Sequence, residues 1–137
     1  MNGRSILAVF AGIVVGIAVI SFLQSLLVFV YPEHIKAMKN LKELAELEKY
    51  MLSLPTGMYL LASFTHALGL LCGMIVGHMI DRKNGMTMIV VASLLLLGNV
   101  LNFLVVPHPG WFPLLDLGLS VGFGLAYGVF VWRRSRK

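Results

Sequence analysis

Apolar residues fill four stretches, 5–31, 55–80, 86–106 and 114–132, and the charged residues collect between and beyond them, with Asp116 the one formal charge inside a stretch. A bilayer core about 30 Å thick takes roughly 20 apolar residues at about 1.5 Å of rise each. All four stretches are near or above that length, so the pattern predicts four membrane-spanning helices. The expected fold is all-α, a polytopic four-helix bundle forming a single domain over 1–137.

The boundaries have local causes. Pro32 cannot continue a helix past Tyr31, and Pro55 falls near the start of the second span, where its missing N–H is harmless. Asp81-Arg82-Lys83-Asn84-Gly85 is a polar turn short enough to force an antiparallel hairpin between the second and third spans. Pro107 to Pro113, with three prolines and two aromatics, reads as a rigid turn at the interface. Tyr31, Tyr50, Tyr59 and Trp111 suit an aromatic belt on one side, Tyr127 and Trp132 on the other.

Segment 33–53 is predicted to form an amphipathic helix outside the membrane. At about 100° per residue, Met38, Leu41, Leu44, Ala45, Met51 and Leu52 share one arc, and Lys36, Lys39, Lys42, Glu43 and Glu46 share the opposite one. Lys39–Glu43 and Lys42–Glu46 are i,i+4 pairs worth about 0.2–0.5 kcal/mol each. The apolar arc needs a partner: the lipid interface, the mouth of the bundle or another protein.

Composition supports the spans and charge orients them. The chain is 58% hydrophobic and 12% charged, against roughly 25% charged in a soluble domain, and its mean hydropathy is +0.88. There is no room for a separate soluble domain. The first stretch is too long for a signal peptide and is read as an uncleaved span. With both termini cytoplasmic, seven basic residues (Arg4, Arg82, Lys83, Arg133, Arg134, Arg136, Lys137) lie inside and four (Lys36, Lys39, Lys42, Lys49) outside, which the positive-inside rule favours. The net charge of +5 thus sits at span ends, not on a soluble face with interleaved aromatics, and no nucleic-acid partner is expected. Cys72, the only cysteine, excludes an intrachain disulfide and reads as a small buried apolar residue.

Glycine spacing suggests helix packing. Gly69, Gly73 and Gly77 make a double small-xxx-small face on the second span, and Gly12 and Gly16 fall at matching depths on the first. Gly118 and Gly122, followed by Ala126, repeat the spacing on the fourth span, with Gly124 and Gly128 separately. These faces serve either the bundle itself or an oligomer.

Polar residues within spans are costly in lipid and normally face a bundle interior, a cavity or a partner. They are Gln24, His66, Asn99, Asn102 and Asp116, with Ser120 nearby, and rise per residue puts all of them roughly 18–28 Å from the cytoplasmic end. All four spans thereby contribute to one layer in the outer part of the membrane. One reading is a pocket in which Asp116 and His66 bind or exchange a proton or cation and the amides supply neutral ligands, histidine being the residue type that changes charge near neutral pH. The other is an interhelical hydrogen-bond network that holds the bundle together.

Other chemistries fit less well. His66, Asp116, His108 and His34 offer no pair at a metal-ligand spacing such as i,i+4. His66 and His78 lie about 18 Å apart on one helix, so a haem would need a dimer. Ser120, His66 and Asp116 have the residue types of a hydrolase triad without a nucleophile turn or oxyanion-hole motif. No catalytic residue, metal or cofactor is therefore expected. Asp81 beside Arg82 and Lys83 reads as a solvated turn.

Leu54-Pro55-Thr56-Gly57 leading into a span that carries Gly69, Gly73 and Gly77 resembles small uncharacterised bacterial four-span membrane proteins with a charged outer segment. That resemblance implies a bacterial inner-membrane location and no activity. Small four-span multidrug transporters typically carry a membrane-embedded glutamate in the first span, where this chain has Gln24. The expected function is a non-enzymatic accessory or structural subunit of a membrane assembly; the alternative is a small oligomeric transporter or channel using the polar layer. The expected partners are the lipid bilayer and further membrane subunits, whether copies of this chain or others.

Overall fold

A computed structural model of the chain describes residues 2–33 and 43–135. It contains five helices, α1 (Gly3–Val30), α2 (Leu44–Ser53), α3 (Thr56–Ile80), α4 (Met86–Val105) and α5 (Phe112–Ser135), and no strand among the described residues. All but α2 are long and apolar enough to cross a membrane. The protein is an all-α bundle of the integral-membrane type, with apolar side chains such as Phe10, Phe22, Leu104 and Leu125 turned outward, as a hydrocarbon solvent permits. The first half of the predicted amphipathic helix, with Met38, Leu41 and the lysines of the Lys39–Glu43 and Lys42–Glu46 pairs, lies outside the described residues. So do Arg136 and Lys137. Of the arc within α2, Met51 is buried and Leu52 points outward.

Helix ends follow side-chain chemistry. The Asn2 side-chain oxygen accepts a hydrogen bond from the Ser5 N–H at 2.9 Å and caps α1. Pro55 precedes α3 in an extended conformation, φ −65° and ψ 142°. In the turn that follows α3, the Asn84 side-chain oxygen accepts from the Met86 N–H at 3.1 Å and starts α4. The turn before α5 is closed by Phe112 N–H donating to the Pro109 carbonyl at 2.9 Å, and Pro113 occupies the first turn, where no partner for its nitrogen is needed.

Helix α3 is central and packs against α1, α4 and α5. Half of its span is buried, against 11% of the span in α5, which explains why the small residues matter most on α3. A Cβ on Gly73 would fall 2.7 Å from the Gly12 carbonyl oxygen, and one on Gly69 would fall 2.8 Å from that of Gly16. The seam between α1 and α3 is therefore backbone against backbone, continued by Gly77 beside Ala8. Leu70, Met74, Met88, Val91 and Leu95 form the apolar core beside it.

Of the two alternatives for the fourth-span pair Gly118 and Gly122, packing within the bundle does not occur. Gly118 and Gly122 are exposed, and a Cβ on either meets nothing within 4 Å. The side of α5 that faces α3 carries Asp116, Ser120 and Gly124, and residues two positions on point roughly 200° away.

The antiparallel arrangement gathers Arg4, Arg82, Lys83, Arg133 and Arg134 at one end of the bundle, called here the basic end. Tyr31, Leu54 and the 106–111 turn mark the opposite, loop end.

Candidate functional site

Four helices deliver one polar side chain each to a layer toward the loop end. Asp116 of α5 is fully buried, and one carboxylate oxygen lies 2.8 Å from His66 Nδ1 of α3. The other accepts from the Asn99 amide of α4 at 3.3 Å. On its far side the imidazole meets Gln24 of α1, with 3.0 Å between Gln24 Nε2 and His66 Nε2. Both ring nitrogens of His66 and both oxygens of Asp116 are thus engaged.

The two contacts of the His66 ring constrain each other through the tautomer. With Gln24 donating, His66 Nε2 accepts and the ring proton sits on Nδ1, pointing at Asp116. Rotating the Gln24 amide by half a turn would offer its oxygen to an Nε2–H instead.

The remaining sequence candidates are placed less centrally. Asn102 is exposed and lines a cavity of about 240 Å³ that also reaches Gln24, His66, Tyr59, His108 and Phe112. That cavity gives His66 its access toward the loop end. Ser120 is fully buried one turn from Asp116, yet its hydroxyl has no hydrogen-bond partner among the described residues; the Ser63 hydroxyl is in the same position. No group of three His, Cys, Asp or Glu side chains suited to a metal ion occurs among the described residues.

An aromatic lid covers the layer. His108 stacks on Phe112 with centroids 4.9 Å apart and 17° between the planes, and Phe103 meets its edge at 5.6 Å. Tyr59 packs against Phe112 and Trp111, and its hydroxyl donates to the Met51 carbonyl, tying α2 to α3. Tyr59 is therefore a buried strut, not the belt residue its position suggested. Burial also holds the His108 imidazole below its ordinary value of 6.5, the nearby Val106 carbonyl and Asp116 opposing that effect.

A second polar cluster at the basic end was not legible as a cluster. Asp81 is buried, not solvated. One of its oxygens accepts from the Ser5 hydroxyl at 2.5 Å and from the Thr87 hydroxyl at 3.2 Å. The Asn84 amide donates to Ser5 Oγ at 3.2 Å, and Arg4 Nε donates to the Ile80 carbonyl at 2.5 Å. The start of α1 is thereby locked to the α3–α4 hairpin. The Ser5 hydrogen bond, then that of Thr87 and the Arg4 charge, hold the Asp81 carboxyl below its ordinary value of 3.8 against the opposing effect of burial. The available signal was an aspartate at a helix C-terminus, where the helix dipole disfavours a negative charge and donors must compensate.

Comparison with family models, curated proteins and solved structures gave no match to this chain.

Proposed function

We propose that this chain is a non-enzymatic accessory or structural subunit of a bacterial inner-membrane assembly, with both termini cytoplasmic, in which the His66–Asp116 layer fastens the four spans. The observation that carries this reading is closure. The four side chains of the layer are bonded to one another, and between them and the basic end lie the α1–α3 glycine seam and the Leu70, Met74, Val91 and Leu95 core. A path for ions through one bundle would have to cross that packing.

Reconstitution into proteoliposomes with an imposed pH gradient tests the reading. Wild-type protein and Asp116→Asn should both leave the gradient decaying as in protein-free vesicles. Accelerated decay in the wild type, abolished by Asp116→Asn, would establish instead a small transporter or channel, the reading that the cavity beside His66 favours. Orientation is tested separately by reporter fusions: those after Lys137 and at Gly85 should report the cytoplasm, and one within 36–49 the outside.

A further inference from the structure

Helices α4 and α5 both lean on α3 and touch each other little, which leaves a cleft of about 410 Å³ open to the side. Its walls include Ala92 and Leu96 of α4 and Gly124 and Gly128 of α5, and its floor is Leu70 and Met74. A Cβ on Gly128 would meet nothing within 4 Å, so missing side chains on α5 help to make the space.

Two observations identify what fills it. Along α5 the cleft runs from Ser120 to Trp132, about 18 Å, which is close to one leaflet of a hydrocarbon core about 30 Å thick. A transmembrane helix of a partner would need a groove through both leaflets, whereas a single acyl chain needs one, and the volume is near that of one such chain. The second observation is charge. The cleft opens beside Trp132 at the basic end, where Arg133 and Arg134 are exposed and the α3–α4 turn presents Arg82 and Lys83. The one acidic residue at that end, Asp81, brings a single negative charge against Arg4, Arg82, Lys83, Arg133 and Arg134, so the end stays net positive. Arg134 rests over the Phe130 ring with its guanidinium carbon 4.5 Å from the centroid, which holds the cation beside the helix.

We propose that the α4–α5 cleft binds one acyl chain of an anionic phospholipid of the leaflet at the basic end, with its phosphate held by the rim arginines and lysine. Basic side chains at the ends of spans attract anionic headgroups, and a tail buried beneath them converts that general attraction into a site.

Native mass spectrometry of the full chain in mild detergent, after mixing with phosphatidylglycerol or phosphatidylcholine, tests the proposal. The wild type should retain one phosphatidylglycerol in preference to phosphatidylcholine. Gly128→Phe and Ser93→Phe, which fill the cleft from opposite walls, should each lose the bound lipid while keeping the wild-type melting temperature. Arg133→Gln with Arg134→Gln leaves the cleft intact and should lower phosphatidylglycerol retention by about fivefold per arginine. Equal retention of the two lipids overturns the proposal, as does retention that survives both cleft-filling variants. If those variants fail to fold, the arginine pair decides alone, and an unchanged lipid preference there is a refutation. Dissociation of a dimer by Gly128→Phe would assign the cleft to a second copy instead.

Discussion

The two buried aspartates of this bundle are held by opposite means. Asp81, at the basic end, accepts hydrogen bonds from two hydroxyls, lies near the water interface and has Arg4 in its neighbourhood. Asp116, within the membrane, has an imidazole on one oxygen and an amide on the other, with a cavity beside the imidazole. The Ser5 and Thr87 hydroxyls and the charge of Arg4 keep Asp81 in one charge state over the whole physiological range, so the Asp81 cluster is a lock. The Asp116 layer is instead a chain of single contacts across four helices, from Gln24 to His66 to Asp116 to Asn99. The surrounding packing differs in the same sense: backbone meets backbone near the basic end, whereas aromatic rings cover an open volume at the other.

The largest expected effect comes from breaking the close-packed half. Gly73→Leu drives a side chain against the Gly12 carbonyl, which cannot swing aside, and should destabilise the solubilised bundle by about 3 kcal/mol or more. An unchanged unfolding midpoint would remove the contrast between the halves. Next is Ser5→Ala, which deletes the shortest hydrogen bond to Asp81. Because the folded carboxyl sits below 3.8, its contribution is present at neutral pH and lost as pH falls below that value. The variant should therefore melt below the wild type at pH 7 and converge with it in strong acid; a gap that persists there would contradict the lock.

At the loop end the pH effect falls in a different window. The folded His108 imidazole is held below 6.5, so it adds stability above that pH that fades as pH drops through the folded value. Between pH 7 and pH 5, His108→Phe should lose less of its melting temperature than the wild type does, with the aromatic stack retained. The smallest effect is assigned to Gly122→Leu, which faces open space and should stay within about 0.5 kcal/mol of wild type. A loss comparable with that of Gly73→Leu would mean that this face is covered by another subunit.

Span number, helix type and the depth of the polar residues were legible because each rests on one-dimensional quantities, run length and rise per residue. That reasoning brought Gln24, His66, Asn99 and Asp116 to one level. It could not say which faces met, so Asn102 proved peripheral and Gly118 and Gly122 proved outward-facing, although their spacing matches that of Gly69 and Gly73. Asp81 was misread for a related reason. A charge in a short turn looks solvated until Ser5, 76 residues earlier on α1, is placed against it.

If His66 and Asp116 act as one fastening, their effects on stability are coupled, and a double-mutant cycle measures that coupling directly. His66→Gln, Asp116→Asn and the double variant are compared with wild type by reversible unfolding in detergent at neutral pH. Measured interhelical hydrogen bonds in membrane proteins average about 0.6 and reach about 1.7 kcal/mol, and full burial of Asp116 places this pair toward the upper end, at a coupling of about 1–1.7 kcal/mol. Losses that simply add, to within about 0.3 kcal/mol, would contradict the claim that this pair ties the spans together.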